Sequence, residues 1–242
     1  MMFLHGDGER GNSKEDLGFV LKHGPLYEAW VQRRDLPFII ISPQMPLFGR
    51  DTIGIPYLVN RDISDFPDRL PEGVPPRLEP GRPAEEMAGA DPGDIEQYRI
   101  TPNGWERVEK DLLTIIDKVF SGYKADADRL YLTGLSYGGQ GTWHMASKHS
   151  DLFSAAVPVV GWGHPDLMDN IAKADLPVWA FSGGRDPVVR KKFFLIGVNR
   201  LEALGHTKLR YTIHEDMGHD TWIRVYAGED VYNWMLSHKR GN

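Results

Sequence analysis

The chain has 242 residues, of which 41% are hydrophobic and 26% charged, and it contains no cysteine. That length suits one large domain or two small ones, because single hydrophobic cores stop growing near ~250–300 residues. The lack of cysteine excludes disulfides, thiolate zinc sites, iron–sulfur clusters and a cysteine nucleophile. The formal net charge of −6, without a block of Lys or Arg, argues against nucleic acid or an anionic membrane as a partner.

The start of the chain carries no recognisable targeting signal. No stretch approaches the ~20 apolar residues of a membrane helix, and no basic region is followed by an apolar one. The chain as it stands is therefore expected in the cytoplasm. Residues 1–4 nevertheless have the pattern of the end of a buried strand with nothing before it, which predicts an incomplete N-terminus. A longer form with a leader would be secreted or periplasmic.

Short apolar runs alternate with longer helical patterns, which is typical of a parallel sheet with crossover helices. We expect one doubly wound α/β domain over residues 1–242. The six predicted strands are Met1–His5, Pro37–Ser42, Arg129–Thr133, Ala155–Val160, Pro177–Phe181 and Lys208–His214. The seven predicted helices are Glu15–Lys22, Tyr27–Arg33, Trp105–Phe120, Tyr137–His149, Pro165–Lys173, Val188–Leu204 and Thr221–His238.

Prolines are concentrated in one part of the chain, where 11 of the 17 fall between Pro43 and Pro102. Such a density breaks any helix or central strand. Residues 49–104 are therefore predicted to form an irregular insertion within the domain, serving either as a lid over a site or as a cover for the sheet edge.

A possible nucleophile follows the predicted strand Arg129–Thr133. The next residues, Gly134-Leu135-Ser136-Tyr137-Gly138, form a G-x-S-x-G pattern between a strand and a helix. The glycines allow a sharp turn that lifts the hydroxyl to the carboxyl end of the sheet. The pattern predicts Ser136 as a nucleophile; the alternative is a glycine-rich turn with a capping serine.

A serine nucleophile needs a base within hydrogen-bond reach and an acid that orients the base. Asp186 and His219 each lie in a loop just after a predicted strand, in the order that α/β-hydrolases use. Glu215 and Asp216 are alternative acids. The competing histidines, which lie within strand or helix patterns, are His144, His149 and His214.

The developing oxyanion needs hydrogen-bond donors. We expect one to be the backbone N–H of Tyr137 and the other to come from the glycine-rich loop His5–Gly11, where the N–H of Asp7 is favoured and that of Gly8 is the alternative. The carboxylate of Asp7 must then point away from the anion.

Aromatic residues near the predicted strand ends are candidates for a substrate pocket. Trp162 is the favoured one, with Trp143, Trp222 and Gly8 also expected near the substrate, although core packing is an equal alternative for the tryptophans. His164, Asp166 and Asp169 form an acidic helix start that needs no ion, so no metal is expected.

Together these residues resemble the α/β-hydrolase superfamily, and within it the polyhydroxybutyrate-depolymerase-like and feruloyl or acetyl-xylan esterase group, often called predicted peptidases. The resemblance covers most of residues 1–48 and 105–240. It is carried by Leu4-His5-Gly6-Asp7-Gly8-Glu9-Arg10-Gly11, Ile41-Ser42-Pro43-Gln44, residues 128–143, Ala155-Ala156-Val157-Pro158, Pro177-Val178-Trp179-Ala180-Phe181, Asp186-Pro187-Val188-Val189 and Gly218-His219-Asp220-Thr221-Trp222.

The resemblance implies that Ser136 is the nucleophile, Asp186 the acid and His219 the base, with Tyr137 and Asp7 as oxyanion donors. It also implies hydrolysis of carboxylic esters, commonly acyl or aryl esters of polysaccharides, without a metal or organic cofactor. A serine peptidase and a non-catalytic ligand-binding relative are the alternatives.

The chain departs from this group in two respects. Its members usually begin with one or two further strands, and Thr52–Asn103 has no recognised counterpart. Without those strands, the apolar segment Pro37–Ser42 would lie on an exposed sheet edge, which invites aggregation. We therefore expect Thr52–Asn60 or a partner subunit, in a homodimer, to cover that edge.

Overall fold

The computed structural model describes residues 1–74 and 104–241, and a parallel sheet dominates it. Five strands lie side by side in chain order. The doubly wound α/β architecture is thereby confirmed. The strands are β1 (Met2–Leu4), β2 (Tyr131–Leu135), β3 (Ala155–Val159), β4 (Val178–Gly183) and β5 (Leu209–His214).

Helices cover both faces of this sheet. Four of them pack on one face and two on the other, so the central strands are buried on both sides. This double burial explains why the strands read as continuous apolar runs. The first group is α1 (Glu109–Gly122), α2 (Tyr137–Lys148), α3 (Met168–Lys173) and α4 (Lys191–Ala203), and the second is α5 (Trp222–Ala227) and α6 (Asp230–Leu236).

Shorter helical segments connect these elements. Gly24–Leu26 and Pro56–Val59 are single α-helical turns, and Tyr27–Val31 is a π-helical turn. The 3₁₀ segments are Asp7–Glu9, Leu17–Leu21, Arg50–Ile53, Ile63–Asp65, Trp105–Val108, Pro165–Leu167 and His219–Thr221.

The prediction of a sixth strand at Pro37–Ser42 is wrong. This segment lies beside β1 at the end of the sheet, but Ile41 alone pairs with it, accepting the N–H of Phe3 at 2.8 Å and donating to Met1 at 2.9 Å. Pro37 lacks an N–H, and Pro43 follows immediately, so a regular ladder does not form and the pairing is limited to the single bridge at Ile41.

Several predicted helices have different limits in the structure, and two of these differences have a clear physical cause. The predicted helix Thr221–His238 is divided into α5 and α6 because Gly228 adopts extended backbone angles between them. The predicted helix beginning at Val188 starts at Lys191 instead. Residues 188–190 are not helical because the N–H groups of Val188 and Val189 donate to the side chain of Asp186.

The described part of the predicted insertion lies over the carboxyl end of the sheet. Arg50 and Tyr57 bind the side chain of Asp7, and Arg61 donates to the carbonyl of Gly8 at 2.9 Å. These contacts place the segment on the loop that follows β1; its role as a lid or as a cover for the sheet edge stays a prediction. Residues 75–103 lie outside the described part of the chain.

Across residues 1–74 and 104–241, every helix is too short or too polar to cross a lipid bilayer.

Candidate active site

Ser136 lies in a tight turn between β2 and α2. Its backbone angles, φ 52° and ψ −116°, are unusual for a residue with a side chain and are typical of a strained functional turn. A Cβ on Gly138 would collide with the backbone oxygen of Leu4, and one on Gly134 would collide with that of Gly138. The two glycines of the pattern are therefore required by close backbone packing.

Three side chains are joined by hydrogen bonds at this turn. Ser136 Oγ lies 2.8 Å from His219 Nε2, and His219 Nδ1 lies 2.8 Å from Asp186 Oδ2. Because a carboxylate only accepts hydrogen bonds, Nδ1 carries the proton and Nε2 accepts from the serine hydroxyl. The structure thus brings together the three residues that the sequence singled out.

Asp186 is completely buried, and its second oxygen is also occupied. Oδ1 accepts the N–H groups of Val188 at 2.8 Å and Val189 at 2.9 Å. The carboxylate is therefore fixed from one side by the backbone and presents only Oδ2 to His219. The imidazole of His219 is held in turn by Trp222, whose ring packs edge-on against it at 5.2 Å between centroids.

The alternative acids are engaged elsewhere. Glu215 binds Lys191 at 2.9 Å, and Asp216 forms a two-bond pair with Arg224 at 2.7 and 2.8 Å. Of the competing histidines, His144 and His149 bind the two oxygens of Glu109, at 2.8 and 2.9 Å, and His214 lies within β5.

The loop after β1 passes directly beside the serine. A Cβ on Gly6 would lie 3.7 Å from the Cβ of Ser136. Asp7, the next residue, begins a 3₁₀ segment, and Tyr137 begins α2. First residues of helices have N–H groups without an intrahelical acceptor, which is what an oxyanion site requires. Oxyanion binding by Tyr137 and Asp7 stays a prediction.

The side chain of Asp7 is neutralised by its neighbours. It accepts hydrogen bonds from Arg10 Nε at 2.6 Å, Arg50 Nη2 at 2.6 Å and the Tyr57 hydroxyl at 2.8 Å. Burial alone would raise the pKa of Asp7, but these three partners outweigh it and lower the pKa. The carboxylate stays ionised and paired.

A cavity of about 280 Å³ opens at Ser136. Its walls differ in character, one being polar and the other apolar. The polar wall is formed by Asp7, Arg50, Tyr57, Tyr137 and Gln140, and the apolar wall by Trp162, Val188, Val189 and Phe193. The lining by Trp162 agrees with the sequence analysis, and the volume suits one small substrate group at a time.

Two other residues expected near the substrate lie elsewhere. Trp143 is buried in the core, with Nε1 donating to the carbonyl of Gly161 at 3.2 Å, because the helix α2 turns this face toward α3 and the sheet. Gly8 does not line the cavity; it lies against the ring of Tyr57 and binds Arg61 through its carbonyl.

The sequence analysis missed Arg10, Arg50 and Tyr57. Arg10 lies in the motif His5–Gly11, but its complete burial depends on the packing of the folded chain and has no local sequence pattern. Arg50 and Tyr57 lie in the proline-rich segment, 43 and 50 residues from Asp7 along the chain, where no local pattern marks their contact.

The helix start at His164 is built from internal contacts. His164 Nδ1 accepts the N–H of Asp166 at 3.2 Å, and Asp169 binds Arg200 at 2.7 Å. Among the described residues, no group of three or more His, Asp or Glu side chains is arranged to hold a metal ion.

Comparison with known families finds one match within the described part of the chain. Residues 104–194, which include the turn at Ser136, match the prolyl oligopeptidase family. No curated protein sequence matches the chain.

Several solved structures are similar over nearly the whole chain. A thermostable esterase is 25% identical, with a TM-score of 0.61 over 99% of this chain, which spans 54% of the length of that protein. Esterase PE8 is 16% identical, with a TM-score of 0.54 over 98% of this chain and 88% of its own. SOBER1 from Arabidopsis thaliana is 15% identical, with a TM-score of 0.50 over 97% of each chain. The protein therefore has the fold of the α/β-hydrolases, and its central part is similar to the prolyl oligopeptidase family.

Proposed function

We propose that this protein is a serine hydrolase that cleaves carboxylic esters through an acyl-enzyme. The observation that carries the proposal is the hydrogen-bonded chain Ser136–His219–Asp186, which opens into a cavity at the carboxyl end of the sheet. The complete set of hydrogen bonds among these three side chains argues against a non-catalytic ligand-binding relative. A protein without activity has no need of a strained serine that is hydrogen-bonded to an oriented histidine.

The reaction has two steps. His219 Nε2 removes the proton of Ser136 as Oγ attacks the ester carbonyl, and the resulting oxyanion is bound by the N–H groups of Tyr137 and Asp7. Collapse of the tetrahedral intermediate releases the alcohol, which takes its proton from His219. A water molecule activated by His219 then cleaves the acyl-enzyme, and Asp186 stabilises the imidazolium in both steps.

The two walls of the cavity suit an ester whose halves differ in polarity. Trp162, Val189 and Phe193 provide an apolar surface for an acyl or aryl group, while the side chain of Gln140 provides a polar group for a hydroxylated alcohol. We therefore favour acyl or aryl esters of carbohydrates, such as acetyl or feruloyl esters, as the substrates.

Replacement of the serine tests the assignment. Ser136→Ala is expected to lower kcat for p-nitrophenyl acetate by about 10⁶-fold, the loss typical of a deleted triad nucleophile. Ser121→Ala, an exposed serine on α1, serves as the matched control and should retain activity. Hydrolysis by folded Ser136→Ala at the wild-type rate would refute the proposal.

A serine peptidase is the second candidate, supported by the match of residues 104–194 to the prolyl oligopeptidase family. A peptidase needs a cleft for an extended chain and a base that protonates an amine leaving group. Comparing kcat/KM for acetyl esters, feruloyl esters and peptides separates the two candidates. An esterase should have the higher kcat/KM on the esters, because an alcohol is a less basic leaving group than an amine and depends less on protonation by the enzyme. A higher kcat/KM on peptides would favour the peptidase.

A further inference from the structure

The acidic residue at the oxyanion loop presents an electrostatic problem. Asp7 is the residue whose backbone N–H is assigned to the oxyanion, so its own side-chain charge lies close to where negative charge develops. An uncompensated carboxylate there would raise the energy of the transition state, since charges of like sign interact strongly in a water-poor site.

Two arginines compensate this charge from opposite directions. Arg10 donates to Oδ1 and Arg50 to Oδ2, each at 2.6 Å. Arg10 is fully buried, packs over the ring of Tyr137 at 4.8 Å and donates to the carbonyl of Pro46 at 3.0 Å, so it is a fixed part of the protein interior. The two guanidinium groups together outnumber the one carboxylate.

Arg50 and Tyr57 hold the carboxylate of Asp7 from the segment 50–57. The side chain of Arg50 is 25% exposed and Tyr57 is 55% exposed, and both line the cavity that contains Ser136. Their hydrogen bonds to Oδ2, at 2.6 and 2.8 Å, draw the side chain of Asp7 toward the segment 50–57. Arg61, from the same part of the chain, binds the next carbonyl of this loop, that of Gly8.

We propose that Arg50 and Tyr57 are positioning residues for the reaction: they neutralise the carboxylate of Asp7 and fix its direction, so that its backbone N–H faces the oxyanion. The proposal rests on the proposed function of Ser136. It makes the segment 50–57 part of the catalytic machinery, although this segment supplies no group that reacts.

Removing the charge of Arg50 tests the proposal. Arg50→Ala should lower kcat for p-nitrophenyl acetate by about 10- to 100-fold, less than the ~10²–10³-fold loss of a direct oxyanion donor. KM should change by less than about 3-fold, because the effect arises in the transition state. Tyr57→Phe, which removes one hydrogen bond and no charge, should show a smaller loss of kcat, and Arg50→Lys should restore part of the activity.

A second substitution distinguishes compensation from substrate binding. The double variant Asp7→Asn/Arg50→Ala should recover most of the activity lost in Arg50→Ala, because it no longer contains a carboxylate whose Oδ2 has lost its guanidinium partner. An unchanged kcat in Arg50→Ala, a rise in KM alone, or no recovery in the double variant would each overturn the proposal. Arg69→Ala is the matched control, since Arg69 contacts Trp30 and lies outside the cavity lining.

Labelling by a fluorophosphonate separates this proposal from the proposed function. The serine oxygen bonds to phosphorus, fluoride leaves, and the phosphoryl oxygen occupies the oxyanion site without any requirement for the natural substrate. A wild-type protein that is not labelled at Ser136 contradicts the proposed function. A wild-type protein that is labelled, with Arg50→Ala labelled at the same rate, contradicts the positioning role alone.

Discussion

At the scale of single residues, Asp186 is the most deeply buried of the three hydrogen-bonded residues at the Ser136 turn. Asp186 has no exposed surface, and all of its described hydrogen bonds are accepted, two from backbone N–H groups and one from His219. A group with this arrangement is built to hold one tautomer of the imidazole, which decides whether Nε2 is able to accept the serine proton.

Asp186→Asn tests this role with little change in shape. The amide oxygen is expected to keep the two backbone hydrogen bonds, leaving the NH₂ group facing Nδ1 of His219. The imidazole is then held in the wrong tautomer, and kcat should fall by ~10⁴-fold, as in other triads. Steady-state kinetics measure the loss, and an unchanged melting temperature verifies the fold. A variant with wild-type kcat would show that another group orients the base.

At the scale of elements, the turn between β2 and α2 depends on close contact with β1. Gly138, the second residue of α2, lies against the backbone of Leu4 and His5. The geometry of the serine is therefore set by packing between elements as well as by its own backbone angles.

Gly138→Ala tests this contact. The new Cβ would overlap the carbonyl oxygen of Leu4, so β1 and α2 must separate, and we expect a loss of stability of about 1–3 kcal/mol together with a loss of activity. Gly122→Ala is the matched control, because the position at the end of α1 has no atom within 4 Å of the new Cβ. It should be neutral or slightly stabilising in urea unfolding. Equal stabilities of the two variants would contradict the contact.

Prediction from sequence succeeded where a local pattern reflects the fold. β2 to β4 were predicted because strands buried on both faces are mostly apolar, and Asp186 was indicated by its place after β4. β5 lies at the end of the sheet and is only partly buried, so it and the following His219 were indicated by the alternation of strands and helices instead. Pro37–Ser42 is equally apolar, but its flanking prolines prevent a regular ladder. Arg50 and Tyr57 were missed because their contacts join segments far apart in the chain, which no local pattern records.

At the scale of the whole molecule, the interior at the loop that follows β1 holds an ionisable group that opposes folding stability at neutral pH. Burial raises the pKa of Glu9 to about 7. Its carboxylate lies 3.8 Å from His23 Nε2 and 4.0 Å from His5 Nδ1. Burial also lowers the pKa of His5 to about 4, so His5 is neutral when Glu9 ionises.

The pKa of Glu9 implies a definite dependence of folding stability on pH. Because the folded state binds the proton more tightly than the unfolded state, the stabilisation is complete below the ordinary glutamate pKa and is lost as the pH rises through about 7. Glu9→Gln has no charge to bury. Its free energy of unfolding should equal that of the wild type at pH 4 and exceed it by roughly 3 kcal/mol at pH 8, because each unit of pKa shift corresponds to ~1.4 kcal/mol.

Urea unfolding at several pH values measures this difference. Glu15→Gln, at an exposed position where the carboxylate binds Asn12, is the matched control and should show no such gain. A difference between Glu9→Gln and wild type that stays constant from pH 4 to pH 8 would contradict the assignment.

The site draws its parts from separate regions of the sheet. Ser136 follows β2, Asp186 follows β4, His219 follows β5, and Asp7 follows β1; the serine and the histidine are 83 residues apart in the chain. In a partly folded molecule these four residues are not held together, so the serine is not expected to react. The fraction of the protein that is covalently labelled at the serine then measures the fraction of correctly folded molecules. The rate at which labelling recovers after dilution from urea measures the rate of the final assembly of the sheet.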